Sequence, residues 1–355
     1  MDTKKLFVRL LLFVSVFIGT SFALAAPGWL QPELWLMAAG SDIIAPTGSV
    51  VINGGAANTN STAVNLTVSA VDAGGAVQWM SFSNDAISWT ATETYAPFKS
   101  WNLPAGDGNK AVWARFIDFS DNTSTPVPDG IFLDTVAPAA PVVTAPLIST
   151  SVSKNKTFNV SWGGAEDAAP SSGIAAYDVE VKTNSGGAWV AWQIGAPAGA
   201  AGFTGAPGNS YYFLARAHDG AGNAGPYSAA ARVIVPLDQS KGIVKRVGFA
   251  GKVAKAKSNY YLGTVRYSIT AGDELTYAFK GNYFALIGTK GPKLSKAVVT
   301  IDGAKKTIDA KAAKNKFRQV LMEKPLAMKK HTVKIKNLGT LRRGRFEIDG
   351  NAVGR

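Results

Sequence analysis

The stretch Ala114-Arg115-Phe116-Ile117-Asp118-Phe119-Ser120-Asp121-Asn122 returns 101 residues later as Ala215-Arg216-Ala217-His218-Asp219-Gly220-Ala221-Gly222-Asn223. The shared pattern, A-R-x-x-D-x-x-x-N, closes a β segment with Asp/Asn turn chemistry. Its offset matches the size of one β-sandwich domain, about 100 residues. Repetition at such a period speaks of architecture before it speaks of any site. Two tandem modules of one kind therefore occupy the first two thirds of the chain.

Working outward, short β segments follow one another from Asp42: Ser49–Ile52, Ala63–Ala70, Val77–Ser83, Ala111–Phe116 and Ile131–Leu133. Gly, Asn, Asp and Pro separate them, as turns require. Residues 42–137 resemble the bacterial immunoglobulin-like repeats of secreted and surface proteins. The likeness rests on Ala45-Pro46-Thr47-Gly48-Ser49-Val50, on Phe82-Ser83-Asn84-Asp85 with Trp89 following, and on the boundary pentapeptide Asp134-Thr135-Val136-Ala137-Pro138. Residues 138–236 are similar to fibronectin type III domains. Phe158-Asn159-Val160-Ser161-Trp162, Tyr177-Asp178-Val179-Glu180-Val181, Trp189, Trp192 and Tyr211–Ala217 carry that likeness. The alternation marks half-buried strands, and Trp162 is placed to fill the space between two sheets. The fibronectin likeness implies a structural and interaction fold without an inherent catalytic site.

Residues 237–355 change character: tryptophan stops and lysine rises. Strands are expected at Tyr261–Ile269, Glu274–Phe279, Tyr283–Ile287, Ala297–Ile301, Phe317–Leu321, His331–Ile335 and Arg345–Ile348, with Asp302-Gly303 as a tight hairpin turn. This segment resembles a galactose-binding-like jelly-roll sandwich. The residues that carry the resemblance are Tyr261–Ser268, Lys296–Gly303, Lys330–Ile335 and Phe346–Gly350. The fold class that follows is all-β, three tandem β-sandwich domains.

Lys4, Lys5 and Arg9 precede an apolar run from Leu10 to Phe22 and then Ala23-Leu24-Ala25, which reads as a signal peptide over 1–25. A run of thirteen residues is too short to cross a hydrocarbon core of roughly 30 Å, so no transmembrane anchor is expected. A short apolar segment, 26–41, follows. The chain contains no cysteine, which excludes disulfides, thiolate metal sites and thiol nucleophiles. The expected location is secreted or at the bacterial cell surface.

Charge is divided by position. Residues 1–236 hold 11 Lys+Arg against 16 Asp+Glu, whereas residues 237–355 hold 26 against 8. Such asymmetry assigns an electrostatic task to the last segment. The candidate ligand-binding residues are Lys252, Lys255 and Lys257, the adjacent Tyr260 and Tyr261 as a stacking platform, Lys305 and Lys306, and Arg342, Arg343 and Arg345. Lys290, Lys293, Lys296 and Lys311 add to the same basic surface.

Other constellations point to structure. His218 and His331 are the only histidines and lie in different modules, so neither a Ser/His/Asp arrangement nor a histidine metal site is expected. The Asp118/Asp121/Asn122 and Asp219/Asn223 sets offer hard oxygen ligands suited to calcium, but local turn bonding explains them first. Glu166-Asp167 sits in a Gly/Ala/Pro/Ser loop and reads as solvated rather than as a glycosidase pair. No cofactor or metal is expected, and the chain is not expected to be an enzyme. The partner expected is an anionic polysaccharide or cell-envelope polymer, with other surface proteins allowed and nucleic acid not expected. The alternative is a selective carbohydrate-binding protein accessory to a secreted hydrolase.

Overall fold

The computed structural model describes residues 42–149, 156–238, 241–249, 259–339 and 343–355. The expected signal peptide and the segment 26–41 lie outside the described residues. Ile44–Arg355 forms one compact unit. It is all-β, with its strands gathered into three successive sandwiches.

The first sandwich contains β1 (Thr47–Ile52), β2 (Asn58–Thr59), β3 (Ala63–Val71), β4 (Val77–Ser83), β5 (Glu93–Thr94), β6 (Phe98–Asn102), β7 (Gly108–Asp118) and β8 (Val127–Leu133). One sheet runs β1-β3-β6 and the other β2-β8-β7-β4-β5. Because side chains alternate across a strand, Val64, Leu66 and Val68 of β3 face Val112, Ala114 and Phe116 of β7 across a shared core. The intervening Asn65, Thr67 and Ser69 stay exposed.

The second sandwich contains β9 (Val142–Thr144), β10 (Thr157–Gly163), β11 (Ile174–Thr183), β12 (Val190–Ala196), β13 (Gly199–Thr204), β14 (Ser210–Asp219) and β15 (Ala231–Ile234). A three-stranded sheet, β13-β10-β9, packs on a four-stranded one, β12-β11-β14-β15. The filling is aromatic. Trp162 is 7% exposed, stands edge-on to Trp192 at 5.8 Å and donates its indole N–H to the Pro197 carbonyl at 2.9 Å. The inter-sheet role expected for Trp162 is the one it occupies.

The third sandwich contains β16 (Leu237–Asp238), β17 (Ile243–Val247), β18 (Arg266–Ser268), β19 (Glu274–Lys290), β20 (Lys296–Ile301), β21 (Ala304–Asp309), β22 (Lys316–Asn337) and β23 (Phe346–Gly354). It differs from the expected pattern of many short strands. The segments read separately as Glu274–Phe279 and Tyr283–Ile287 are one 17-residue strand, and Phe317–Leu321 and His331–Ile335 belong to one of 22 residues. β19 exchanges its neighbour midway, pairing β17 through Tyr277 and β23 from Tyr283, so a single sheet supplies both layers around one core. Gly281 sits at the exchange. A Cβ there would collide with the Gly354 carbonyl, so a side chain would push β23 away. The stretch expected as strand from Tyr261 opens instead as a 3-10 turn, Tyr261–Gly263, before β18.

The run Tyr283-Phe284-Ala285-Leu286-Ile287 is buried on both faces. Phe284 and Leu286 enter the core of the third sandwich. Tyr283, Ala285 and Ile287 join Ile148 and Ile234 of the second in a separate apolar cluster. A strand with no polar face must be covered twice, and here the neighbouring module is the second cover. Arg232 adds a hydrogen bond to Asn282 at 2.9 Å across the same seam.

Asp302 and Gly303 form the tight turn of the β20–β21 hairpin, both with positive φ (46° and 91°). The Asp302 carboxylate also accepts from the Thr332 amide at 2.9 Å and meets His331 Nδ1, while His331 Nε2 faces the Ala327 carbonyl at 2.8 Å. Burial alone would push the imidazole down. The Asp302 bond and the Ala327 carbonyl outweigh it, so His331 titrates above its ordinary value. Only the imidazolium satisfies both acceptors at once. The stabilisation is therefore complete below the unfolded imidazole value, about pH 6.5, and is lost as pH rises through the raised folded value. Urea unfolding at pH 6 and pH 9 should show lower stability at pH 9, with a smaller difference between the two in His331→Gln.

Candidate functional site

The alternation that builds the third core determines where its lysines stand. Along β22, Val333 and Ile335 point inward and are fully buried. Thr332, Lys334 and Lys336 therefore point outward. Cross-strand partners share a face, so register extends the row. Lys245 of β17 opposes Thr276, Thr276 opposes Lys334, Lys334 opposes Thr300, and Thr300 opposes Lys305 of β21. One end of the same face carries Lys280 opposite Lys330. The other carries Lys296 opposite Asp309.

Seven lysines, 245, 280, 296, 305, 330, 334 and 336, thus occupy one face of the layer β17-β19-β22-β20-β21, all exposed. Neighbouring strands are about 4.8 Å apart, and successive outward residues along a strand about 6.8 Å apart. The ammonium groups therefore form one array across the face, with threonines between them. Two acids interrupt it: Glu274 lies 3.4 Å from Lys334 and 3.6 Å from Lys336, and Asp309 lies 3.9 Å from Lys296. Lys245, Lys280, Lys305 and Lys330 have no ion-pair partner among the described residues. Lys280 also borders a groove of about 350 Å³ shared with Asn184, Ser185, Met328 and Arg355.

Of the expected ligand-binding residues, Lys305 lies on this face, and Lys306 is exposed on the same edge strand but points the other way. Arg343 is half-buried and reaches the Asp309 carboxylate at 3.3 Å. Arg345 is held at 2.6 Å by the buried Glu347 and lies 4.0 Å from the centre of the Tyr267 ring, so it is engaged internally. Lys252, Lys255, Lys257 and Arg342 lie outside the described residues.

The tyrosine platform is corrected. Tyr260 is 9% exposed, edge-on to Phe317, with burial pushing its phenol up to about 12. Tyr261 is completely buried. Its hydroxyl donates to the Pro236 carbonyl at 3.0 Å, and its amide donates to Asp349 at 2.8 Å. Asp349 is itself buried, which pushes its carboxyl up to about 8. Both tyrosines turn inward against the buried acids Glu347 and Asp349 instead of offering ring faces to a ligand.

Lys330, Lys334 and Lys336 of β22 are not among the expected binding residues, because they form no cluster along the chain. The signal that marks them is an even spacing that alternates with the apolar Val333 and Ile335. That is the period of one strand face.

The two histidines lie in separate pairs. His218 Nε2 meets Asp178 at 2.8 Å, beside Arg216 at 3.1 Å on the same oxygen, in the second sandwich. His331 meets Asp302 in the third. Asp118 and Asp219 close their turns as expected, each accepting the amides two and four residues onward and the side-chain amide of Asn122 or Asn223. Aromatic surface appears instead in the first sandwich. There a concavity of about 310 Å³ is lined by Trp89, Trp101, Asn84, Asp85, Ser88 and Thr90 among others. Trp101 donates to Asn84 at 2.8 Å, and the Arg115 guanidinium lies 4.4 Å from the centre of the Trp89 ring.

No family model matches the chain, and no curated protein matches it. Among solved structures, the fibronectin(III)-like modules of CbhA from Clostridium thermocellum are similar at 15% identity and TM-score 0.32, over 52% of this chain and 93% of theirs. A Fn3-like protein from Clostridium thermocellum is similar at 28% identity and TM-score 0.23, over 29% of this chain and 97% of that one. The CBM35 of Cellvibrio japonicus Abf62 is similar at 11% identity and TM-score 0.27, over 34% and 93%. No helix among the described residues is long and apolar enough to cross a membrane.

The buried placement of Tyr261 predicts that Tyr261→Phe lowers stability by about 1 kcal/mol, the worth of one hydrogen bond. Thermal melts check this.

Proposed function

We propose that this is a secreted, non-catalytic modular binding protein. The first two sandwiches act as spacers, and the lysine face of the third binds an anionic glycan or cell-envelope polymer. The observation that carries the reading is the array of seven outward lysines against two acids on one face. An extended face of ammonium groups suits an extended chain of carboxylates or phosphates, each contact being weak, screened by salt and additive along the polymer. Lysine is a point charge on a flexible stem, so such a face selects charge density more than stereochemistry. Selectivity among anionic polymers would be modest. The seam around Ile287 would hold the face at a fixed orientation to the second sandwich.

A second reading, binding of a neutral saccharide, draws on the Trp89/Trp101 concavity of the first sandwich, where aromatic faces adjoin Asn, Asp, Ser and Thr groups. It moves the carbohydrate site away from the buried tyrosines of the third.

The two readings separate by salt and by mutation. Binding of the full chain to polygalacturonate should weaken at least tenfold between 50 and 500 mM NaCl, conditions that shrink the screening length from about 14 to about 4 Å. The triple reversal Lys280→Glu, Lys305→Glu and Lys330→Glu should cost about 1 kcal/mol or more per charge, on the order of a hundredfold in affinity. Its melting temperature should stay close to the parent's, because these side chains are exposed. Binding that ignores salt, survives the triple reversal or disappears with Trp89→Ala would overturn the lysine-face reading in favour of the saccharide one.

A further inference from the structure

Two stretches of β19 turn away from the core of the third sandwich. Tyr283, Ala285 and Ile287 are covered by the second sandwich, whereas Ala278 and Lys280, a few residues earlier, stay exposed. The cover therefore stops partway along the strand, and its edge makes a step. In that step lies the groove of about 350 Å³, with Asn184 and Ser185 of the second sandwich on one side and Lys280, Met328 and Arg355 of the third on the other. Its volume is at the lower end of the range of small-ligand sites.

Bonding between the modules fixes the walls. The Asn184 amide donates to the Ser210 carbonyl at 2.7 Å, and the Asn184 side-chain oxygen accepts from the Ser210 amide at 3.0 Å. The Ser210 hydroxyl in turn accepts from the Arg355 amide at 3.1 Å, and the Tyr212 hydroxyl donates to the Arg355 carbonyl at 3.1 Å. On the far wall β22 bulges, so that Leu326, Ala327 and Met328 stand opposite the single residue Asn282. A bulge re-aims side chains. Leu326 packs against the core, and Met328 is left 48% exposed at the groove. A groove whose walls are bonded to each other stands ready before a ligand arrives, which lowers the ordering cost of binding.

The charge around it is one-sided. Lys280 stands directly opposite Lys330 of β22, a like-charge pair that costs a sheet stability. Neither lysine, nor Arg355, has an ion-pair partner among the described residues. Among the described residues that line the groove, none is acidic. Cations held together without a counter-charge favour an anion at the mouth. Beside them Met328 supplies an apolar, adaptable surface, and Ser185 and Asn184 supply neutral hydroxyl and amide groups. Apolar surface next to neutral polar groups and cations suits a sugar ring that bears an acid group, and exceeds what a bare charged chain needs.

We propose that this groove receives one carboxylate-bearing sugar unit of the bound glycan, its carboxylate toward Lys280 and Lys330 and its ring against Met328 and Ser185. The proposal rests on the lysine-face reading for the remainder of the polymer and adds what that face lacks, recognition of the sugar itself. The second sandwich is then part of the site as well as a spacer.

Binding of the full chain to polygalacturonate and to poly-L-glutamate of matched charge count tests this, since only the first of these carboxylate polymers has sugar rings. The parent should prefer polygalacturonate by about tenfold, the scale of one or two well-placed hydrogen bonds. Ser185→Leu and Met328→Ala, at exposed positions and with every charge left in place, should each remove most of that preference. Their melting temperatures and their binding of poly-L-glutamate should stay at parent values. Digalacturonate, too short to follow the lysine row, should shift the NMR signal of the Met328 methyl in the parent and leave it unmoved in Ser185→Leu. Equal affinity of the parent for the two polymers, a preference that survives both variants, or a Met328 signal indifferent to digalacturonate overturns the groove and leaves the lysine face standing. If instead Lys245→Glu with Lys305→Glu, both away from the groove, leaves polygalacturonate binding intact while the Met328 response persists, the lysine-face reading fails and the groove remains.

Discussion

A strand that buries every second side chain has no freedom over where the others go: they stand together on the opposite face. The third sandwich rests on this constraint. Val333 and Ile335 must enter the core, so Lys334 and Lys336 must leave it, and the register of β17, β19, β20 and β21 then sets Lys245, Lys280, Lys296 and Lys305 on the same side. The core and the cationic face are therefore one design. Shifting β22 by one residue would bury Lys334 and Lys336 and expose Val333 and Ile335. Lysine on the edge strand β21 also discourages pairing with another sheet.

Cohesion between modules uses two different chemistries. The second and third sandwiches meet through apolar burial, Ile148 and Ile234 against Tyr283, Ala285 and Ile287, with Arg232 bonded to Asn282. The first and second meet through polar groups, Asp134 receiving Ser172 and Asn223, and Asn58 reaching the Gly220 carbonyl at 3.2 Å. Apolar contact is indifferent to ions, whereas a seam built on carboxylates responds to whatever neutralises them.

Burial also reassigns residues that look functional in one dimension. Tyr261, Asp349 and His331 are groups from which binding sites are commonly made. Here Tyr261 and Asp349 bond to each other, and His331 bonds to the turn at Asp302. Buried polar groups need partners, and in a chain without disulfides such internal bonds help define a unique core. Arg345 follows the same logic, since the buried Glu347 beneath it requires a cation.

Much of the architecture was legible in the residues. The repeat ending at Asn122 and Asn223 marked two related modules, the alternation in Ala63–Ala70 and Tyr211–Ala217 marked their strands, Trp162 marked an inter-sheet core, and Asp302-Gly303 marked a hairpin. These are local signals, set by period-2 alternation and by which residues tolerate positive φ. The positive excess of residues 237–355 was equally plain. What escaped were matters of partner and face: that Glu274–Lys290 runs unbroken through two layers, that Tyr260 and Tyr261 turn inward, and that Glu166 and Asp167 part company. By itself, then, the sequence determined the strands, the turns and the segment that carries the charge, because each depends on neighbours along the chain. Only the tertiary structure decided that the lysines share a face and that Asp134, Asp167 and Asp219 converge, because register and loop packing join residues that the chain keeps far apart.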